Sequence, residues 1–506
     1  MNAESGKSVS IWAATYDIPQ FEPLKKDATA DVCVIGAGIT GLLTACRLSS
    51  NGKKVIVVDD GPIGGGETAR TTAHISSVID DRFYEITRMH GEETCRLAAE
   101  SHLTAVNMIE ELVNTNGIDC DFRRLNGYLI FRPEEDADVL EKEYHTALKA
   151  GIDTQILPGA PLNFASSYPC LMFPMQAEFH VLKFIAAISK LIIDNGGKIY
   201  TNTHVKKINE EDESVKVITS DGVIITANYA VAATNSPISD YWRVHVKQAA
   251  YRSYVTGFKV TKGAIPDGLF WDNEEPYHYI RLYNDGQDEI MIVGGEDHRT
   301  GQEEDPEERY ENLVKWTRER FPEAGELKYK WSGQIIEPVD GLSLTGLDPE
   351  SKGRVFVATG DSGMGITHAA FSSIILSDLI SGNENPWAKI YDPSRVTLKA
   401  ASEFIKEGFS TAIQYADLLS PPEASSTDEI APGSGAIMKM GSDKLAVYKD
   451  PTGKVYKFSA LCPHLKCVVE WNKAENTWDC PCHGSRFEAT GKVINGPALA
   501  DLKSEN

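Results

Sequence analysis

The rhythm of apolar and polar positions changes several times along the chain, and each change predicts a different kind of element. Asp31-Val-Cys-Val-Ile35 is a short apolar run that enters Gly36-Ala-Gly38-Ile-Thr-Gly41, after which apolar residues recur at helical spacing through Leu48. A second apolar run, Val55 to Val58, ends at Asp59. Strand, glycine turn, helix and strand in that order form one unit of a parallel sheet. Further on, the pattern predicts a helix over Lys183–Asn195, a strand over Lys198–Thr201, a hairpin over Val215–Thr226 turning at Ser220-Asp221-Gly222, and a strand over Tyr229–Thr234.

Between Tyr251 and Glu296 the period shifts to long alternation, as in Arg252–Val260 and Ile290–Gly294, with a turn at Asn284-Asp-Gly286. Alternation of that kind predicts an antiparallel sheet, read here as a separate substrate domain. A buried strand at Arg354–Gly360 and a helix over about Ile366–Ile380 return the chain to the parallel unit. Val396–Leu419 has the spacing of an amphipathic helix, interrupted by Gly408. Ser420-Pro-Pro-Glu-Ala-Ser-Ser-Thr427 and Ala431-Pro-Gly-Ser-Gly435 have the composition of a linker. The short β segments Ala436–Met440, Lys444–Lys449 and Lys454–Ser459 then predict a small all-β module, and no internal repeat is visible.

Charge and cysteine placement narrow the function classes. A net charge of −23 without a basic stripe argues against nucleic acid, whose binding draws on clustered Lys and Arg. No apolar run reaches the roughly 18 residues that suggest a membrane span, and the N-terminus lacks a basic region followed by an apolar stretch, so a cytoplasmic protein is expected. Cys33, Cys46, Cys95, Cys120 and Cys170 are scattered and read as buried small hydrophobes. The other four cysteines crowd between Cys462 and Cys482, which in a cytoplasmic chain points to metal rather than to a disulfide framework.

In the first unit, Gly36 permits a tight turn, Gly38 lets backbone approach a pyrophosphate, and Gly41 allows close packing of helix on strand. The pyrophosphate would sit on the helix N-terminus, and Asp59, roughly 20 residues on, would accept from ribose hydroxyls. The alternative is that these glycines merely shape turns and caps. Three further segments resemble the D-amino-acid oxidase-type flavoprotein family (glycine oxidase and sarcosine oxidase-like) over about residues 28–390. Gly64-Gly-Gly-Glu-Thr-Ala-Arg-Thr71-Thr72-Ala73 resembles that family's loop over pyrophosphate and flavin. Thr203-His204-Val205 resembles the strand whose Val backbone meets adenine.

The third segment is Ala358-Thr-Gly360-Asp361-Ser-Gly363-Met-Gly365-Ile366-Thr367. It resembles the second FAD stretch, with Gly360 and Asp361 near the ribityl chain and Gly363, Gly365 and Ile366 near the flavin ring. The resemblance implies FAD rather than NAD, and since the sequence shows no covalent flavin anchor, non-covalent binding is expected. A helix following this stretch would direct its positive end at the flavin and favour an anionic reduced form. Where relatives carry Asp-x-x-Pro-x-x-Gly, this chain has Asp340-Gly-Leu-Ser-Leu-Thr-Gly346.

At the C-terminus, Cys462-Pro-His464-Leu-Lys-Cys467 is followed by Cys480-Pro-Cys482-His483-Gly484-Ser485. Two Cys/His arms suit a structural zinc, and they also suit a 2Fe-2S cluster whose irons take two Cys and two His respectively. The arrangement resembles Rieske proteins over about Ala436–Asn506. That resemblance implies Cys462, His464, Cys480 and His483 as ligands, a loop-bridging disulfide between Cys467 and Cys482, and a proline loop at Gly496-Pro497. It also implies a hydrogen bond from Ser485 toward a bridging sulfide and, with Phe487 where high-potential relatives carry Tyr, an intermediate potential.

The expected fold class is therefore an α/β Rossmann-type FAD domain with an inserted antiparallel-sheet substrate domain, plus a small all-β Rieske domain. The expected limits are 1–415 for the FAD-dependent region, with nucleotide-binding parts about 28–90, 175–240 and 330–395 and substrate parts about 91–174 and 241–329. A linker over 416–435 and the Rieske domain over 436–506 follow. The family implies oxidation of a C–N bond in an amine or amino acid, with electrons passing from flavin through the cluster to a redox partner protein or quinone-like acceptor. Two readings compete: a reductase fed through the cluster, and a redox sensor without turnover. Candidate substrate contacts are Tyr279 and Arg281, on one face of a strand, and His298; each also reads as a structural residue. His245 and His368 are read as structural.

Overall fold

The computed structural model describes residues 6–132, 137–238, 242–303, 305–397, 421–441 and 443–505. The β-branched run Ala28–Ile35 forms the centre of an eight-stranded sheet, because residues buried on both faces suit a parallel interior position. It pairs in parallel with Val55–Val58 on one side (Val32 with Val55) and with Ile224–Ala232 on the other (Val34 with Val231). Lys198–Tyr200 extends one edge; Val355–Thr359 and Leu344–Leu347 extend the other. The hairpin Val205–Glu210 and Val215–Thr219 joins through Ile224–Ala232. Helices Ile39–Ser50, Val181–Asp194 and Gly365–Ser381 cover the sheet and share its core.

A nine-stranded sheet forms the second layer, ordered Leu327–Pro338, Gln248–Val260, Glu289–Arg299, His278–Asn284, Leu269–Asp272, Arg123–Ile130, Cys170–Glu178 and His74–Ile75, with Gln155–Leu157 on Cys170–Glu178. It is antiparallel except where Leu269–Asp272 runs parallel to Arg123–Ile130. The alternation read over residues 251–296 is the central part of this sheet. Leu327–Pro338 straddles the expected boundary at 330 and pairs with Gln248–Val260 along nearly its whole length, so the long strand has neighbours on both edges.

The C-terminal module holds a three-stranded sheet (Ser434–Met440, Asp443–Lys449, Val455–Ser459) and a four-stranded sheet (Glu470–Asn472, Thr477–Asp479, Arg486–Glu488, Val493–Asn495) around Trp478, Phe487 and Phe458. The helix expected over Val396–Leu419 and the start of the expected linker lie mostly outside the described residues. Among the described residues, no helix is long and apolar enough to cross a membrane.

Candidate functional site

Between the two large sheets lies a cavity of about 770 Å³, within the range of cofactor and ligand sites. Its walls include Gly36, Gly38, Asp59, Thr71, Thr72, Val205, Gly360, Asp361, Gly363, Gly365, Ile366 and Tyr279. The turn at Gly36 has φ +105°, and a Cβ there would collide with the Ala233 carbonyl oxygen. A Cβ on Gly41 would strike the Gly36 carbonyl, so helix and strand approach closely because both lack side chains. Gly41 itself does not line the cavity. The Asp59 carboxylate accepts from the backbone N–H of Ala37 and, at 2.8 Å, of Gly61, which seats it at the mouth of the glycine turn.

This cradle fits a flavin dinucleotide: bare backbone at the start of Ile39–Ser50, an acid beyond it, and a second glycine-rich turn opening Gly365–Ser381. Asp361 is raised to about 6 by burial, and its carboxylate lies 2.8 Å from where a Cβ on Gly365 would stand. Asp340 of the departing loop is tied instead to Arg395, at 2.6 and 2.9 Å.

The substrate candidates separate. Tyr279 lines the cavity and its hydroxyl shares a hydrogen bond of 2.8 Å with Ser253. Arg281, on the same face two residues on, is 1% exposed and fully engaged: its Nε lies 2.9 Å from Glu178, and Nη1 donates to the carbonyls of Thr72 (3.0 Å) and Ala73 (2.7 Å). His298 faces away, between Tyr254 Oη at 2.9 Å and the Arg299 carbonyl at 2.8 Å, and burial lowers its pKa to about 4. The expected carboxylate grip by Arg281 therefore has no free guanidinium behind it.

The residues at this end that the sequence did not reveal are acids and aromatics. Asp80, Asp81 and Glu275 line the cavity with Trp271 and Tyr277, and Asp80 Oδ2 stands 3.7 Å from the Cβ position of Gly363. Burial raises the Asp80 pKa against the opposing pull of Arg82. Arg82 donates to the Asp80 carbonyl at 2.8 Å and to Asn273 at 3.3 Å. Asp297 accepts from Tyr277 Oη at 2.9 Å, and burial pushes it up to about 7. None of these belongs to a spacing pattern that a linear reading could detect.

In the C-terminal module, two turns closed by Lys466 N–H to the Cys462 carbonyl and Gly484 N–H to the Cys480 carbonyl bring the four expected ligands together. The Cys462 and Cys480 side chains hydrogen-bond each other, and the rings of His464 and His483 lie 5.1 Å apart. His483 is 9% exposed, and its Nδ1 is buried without a hydrogen-bond partner. Burial lowers both imidazoles to about 4, so they are neutral at neutral pH with a lone pair to offer a metal. A pair of facing thiols and a pair of facing neutral imidazoles, one with an orphaned buried ring nitrogen, fit a cluster whose two irons take Cys and His respectively. Cys467 and Cys482 form a disulfide with Cα atoms 6.4 Å apart. His245, read as structural, lies with its ring 5.1 Å from that of His464.

The two sites touch. Gln334, in the cavity wall, donates from Nε2 to the Gly484 carbonyl of the second cluster loop at 2.8 Å. Glu475 reaches from the module into the larger body, beside Arg70, Arg252, Ser332 and Ser8.

Comparison with known proteins agrees with this geometry. The family profile described as FAD dependent oxidoreductase matches residues 31–379, and the Rieske 2Fe-2S domain profile matches residues 421–505. The chain is 31% identical over 504 residues to the Bacillus subtilis protein YhfW, named as a Rieske 2Fe-2S iron-sulfur protein, covering 98% of this chain and 97% of that one. It is 23% identical over 380 residues to gamma-glutamylputrescine oxidoreductase of Escherichia coli, covering 72% and 86%. Among solved structures, glycine oxidase from Geobacillus kaustophilus superposes with a TM-score of 0.61 at 18% identity, over 73% of this chain and 99% of that one, a likeness of fold.

Proposed function

We propose that this chain, which belongs to the FAD dependent oxidoreductase family and carries a C-terminal Rieske 2Fe-2S domain, oxidises a C–N bond of an amine or amino acid and passes the electrons through its own cluster to an acceptor other than oxygen. When bound, FAD accepts a hydride from carbon and the cluster relays electrons singly. The observation that carries this reading is the Gln334 to Gly484 hydrogen bond, because it puts the cavity wall in direct contact with a cluster loop within one chain.

In this assignment Gly36, Gly38, Gly41, Asp59, Thr71, Thr72, Val205, Gly360, Asp361, Gly363, Gly365 and Ile366 form the FAD site. Cys462, His464, Cys480 and His483 hold the cluster. Residues 1–415 form the oxidoreductase region and 436–506 the Rieske domain, joined by 416–435. Gamma-glutamylputrescine oxidoreductase and glycine oxidase between them point to an amine and an amino acid, and the cavity favours the amine. Asp80, Asp81 and Glu275 outnumber Arg82 on this stretch of wall, burial raising Asp80 and pushing Asp81 up to about 7, and Arg281 is sequestered by Glu178. Acids in a cleft between apolar walls concentrate cationic ligands, and Trp271, Tyr277 and Tyr279 supply aromatic walls for an ammonium head.

The test is an anaerobic titration with aliphatic amines, diamines and amino acids, following flavin absorbance and the EPR signal of the reduced cluster together. Bleaching by an amine followed by a Rieske-type signal is the expected result. Reduction by a reduced partner protein but by no amine or amino acid would favour the reductase reading, and reduction by dithionite alone would favour the sensor.

A further inference from the structure

The segment Val493–Leu499 of the C-terminal module makes contacts on two sides. Val493, Asn495 and Leu499 line the large cavity, on the wall shared with Asp59, His204 and Val205. The Leu499 carbonyl lies 3.3 Å from His204 Nε2, and Asn495 Nδ2 donates to Glu67 Oε1 at 3.3 Å. On the other side, Ala498 N–H donates to Ser485 Oγ at 3.0 Å, two residues after His483, and Arg486 Nη1 lies 3.4 Å from Asn495 Oδ1. The cavity wall beside the nucleotide strand is thus built by the electron-transfer module, not by the flavoprotein fold alone.

We propose that Val493–Leu499 is a part of the FAD site contributed by the Rieske module, so that retention of FAD and docking of the cluster module depend on each other. The proposal rests on the reading that this cavity holds FAD. The residues it names on the flavoprotein side, Asp59 and Val205, are those expected to meet ribose and adenine. A wall completed by a docked module slows release of what lies behind it, and by linkage the bound dinucleotide stabilises the docked module to the same extent. The bond from Ala498 to Ser485 makes the coupling local: displacement of the segment moves a residue adjoining a cluster ligand. The segment therefore has two roles, bracing the loop after the second cluster arm on one side and walling the dinucleotide on the other.

The experiment uses full-length protein loaded with both cofactors and reads FAD dissociation by the rise of free-flavin fluorescence after dilution. Asn495→Asp sets a carboxylate against Glu67 and should release FAD at least tenfold faster while the EPR signal of the cluster persists. Because a variant can fail for other reasons, hydrogen exchange of the wild-type 493–499 segment is compared in FAD-loaded and FAD-stripped full-length protein, and slower exchange with FAD is expected. Equal exchange in the two states, or an unchanged dissociation rate in a folded variant, overturns the proposal. Wild-type protein that binds no added FAD refutes the underlying reading instead, and is recognised by the absence of any flavin spectrum.

Discussion

Glu475 of the C-terminal module lies 3.5 Å from the guanidinium of Arg70 in the oxidoreductase region, with the two side chains 1% and 4% exposed. Arg252, fully buried, stands at the same distance from the same carboxylate oxygen, and Ser8 Oγ donates to it at 2.6 Å. A buried carboxylate between two buried guanidiniums is a lock, because separating them would leave uncompensated charge in a poorly solvated place. Glu475→Gln should weaken docking strongly: removing one partner of a buried pair costs roughly 3–5 kcal/mol. The check is chemical denaturation followed by flavin and cluster signals, in which the variant should lose the single transition shared by both cofactors.

The same carboxylate sets an acid limit. Burial pushes its pKa up, but Arg70, Arg252 and Arg486 outweigh burial and hold it down at about 2. A group depressed in the folded state contributes stability above its unfolded pKa and loses it as pH falls through the folded value. Docking should therefore be insensitive to this group above about pH 4.3, the ordinary Glu value, and weaken progressively from there toward about pH 2. A stability profile measured against pH should show that slope in the wild type and lose it in Glu475→Gln.

His483 separates cluster from zinc. Replacing it with Ala should abolish the reduced-cluster EPR signal and lower bound iron, while the flavin absorbance survives with FAD in excess. Zinc instead of iron and sulfide in the wild-type protein would overturn the cluster assignment. The neutral state of the ring supports the expectation, since a cationic imidazole cannot ligate.

Arg281 and Asp80 separate structure from substrate binding. Arg281→Ala removes the partner of Glu178 Oε2 and strips the Thr72 and Ala73 carbonyls of a donor, while Arg123 still holds Oε1 at 2.6 Å, so it should lower stability by about 1–3 kcal/mol. Asp80→Asn should leave the thermal midpoint within a few degrees and raise the KM for a cationic amine about tenfold or more, equivalent to roughly 1.4 kcal/mol of lost binding. Steady-state kinetics beside a thermal melt distinguish the two. A large KM effect confined to amino acids in an Arg281→Lys variant would restore the carboxylate grip.

Much of the fold was legible because its signals are local. The turn from Ile35 through Gly41 must bend at Gly36 and pack at Gly41, and both demands are written in adjacent residues. Similarly, the Cys462/His464 and Cys480/His483 arms each close within one turn, so spacing alone shows that paired ligands share a loop. Alternation over Tyr251–Glu296 revealed a sheet, and the resemblance assigned 91–174 to the same region, but neither showed that Leu269–Asp272 pairs in parallel with Arg123–Ile130, since strand partners distant in sequence leave no mark on the local period.

By itself, then, the sequence determined the nucleotide turn, the cluster arms and the all-β character of the last module, since each depends on neighbours a few residues apart. Tertiary structure alone decided the rest. Arg281 is structural because Glu178 and the carbonyls of Thr72 and Ala73 meet it from elsewhere in the chain, and Asp80 faces the cavity because Gly363 comes round beside it. Glu475 is the lock between modules because Arg70 and Arg252 lie buried beside it and need a counter-charge there, a requirement that exists only once the surfaces have met.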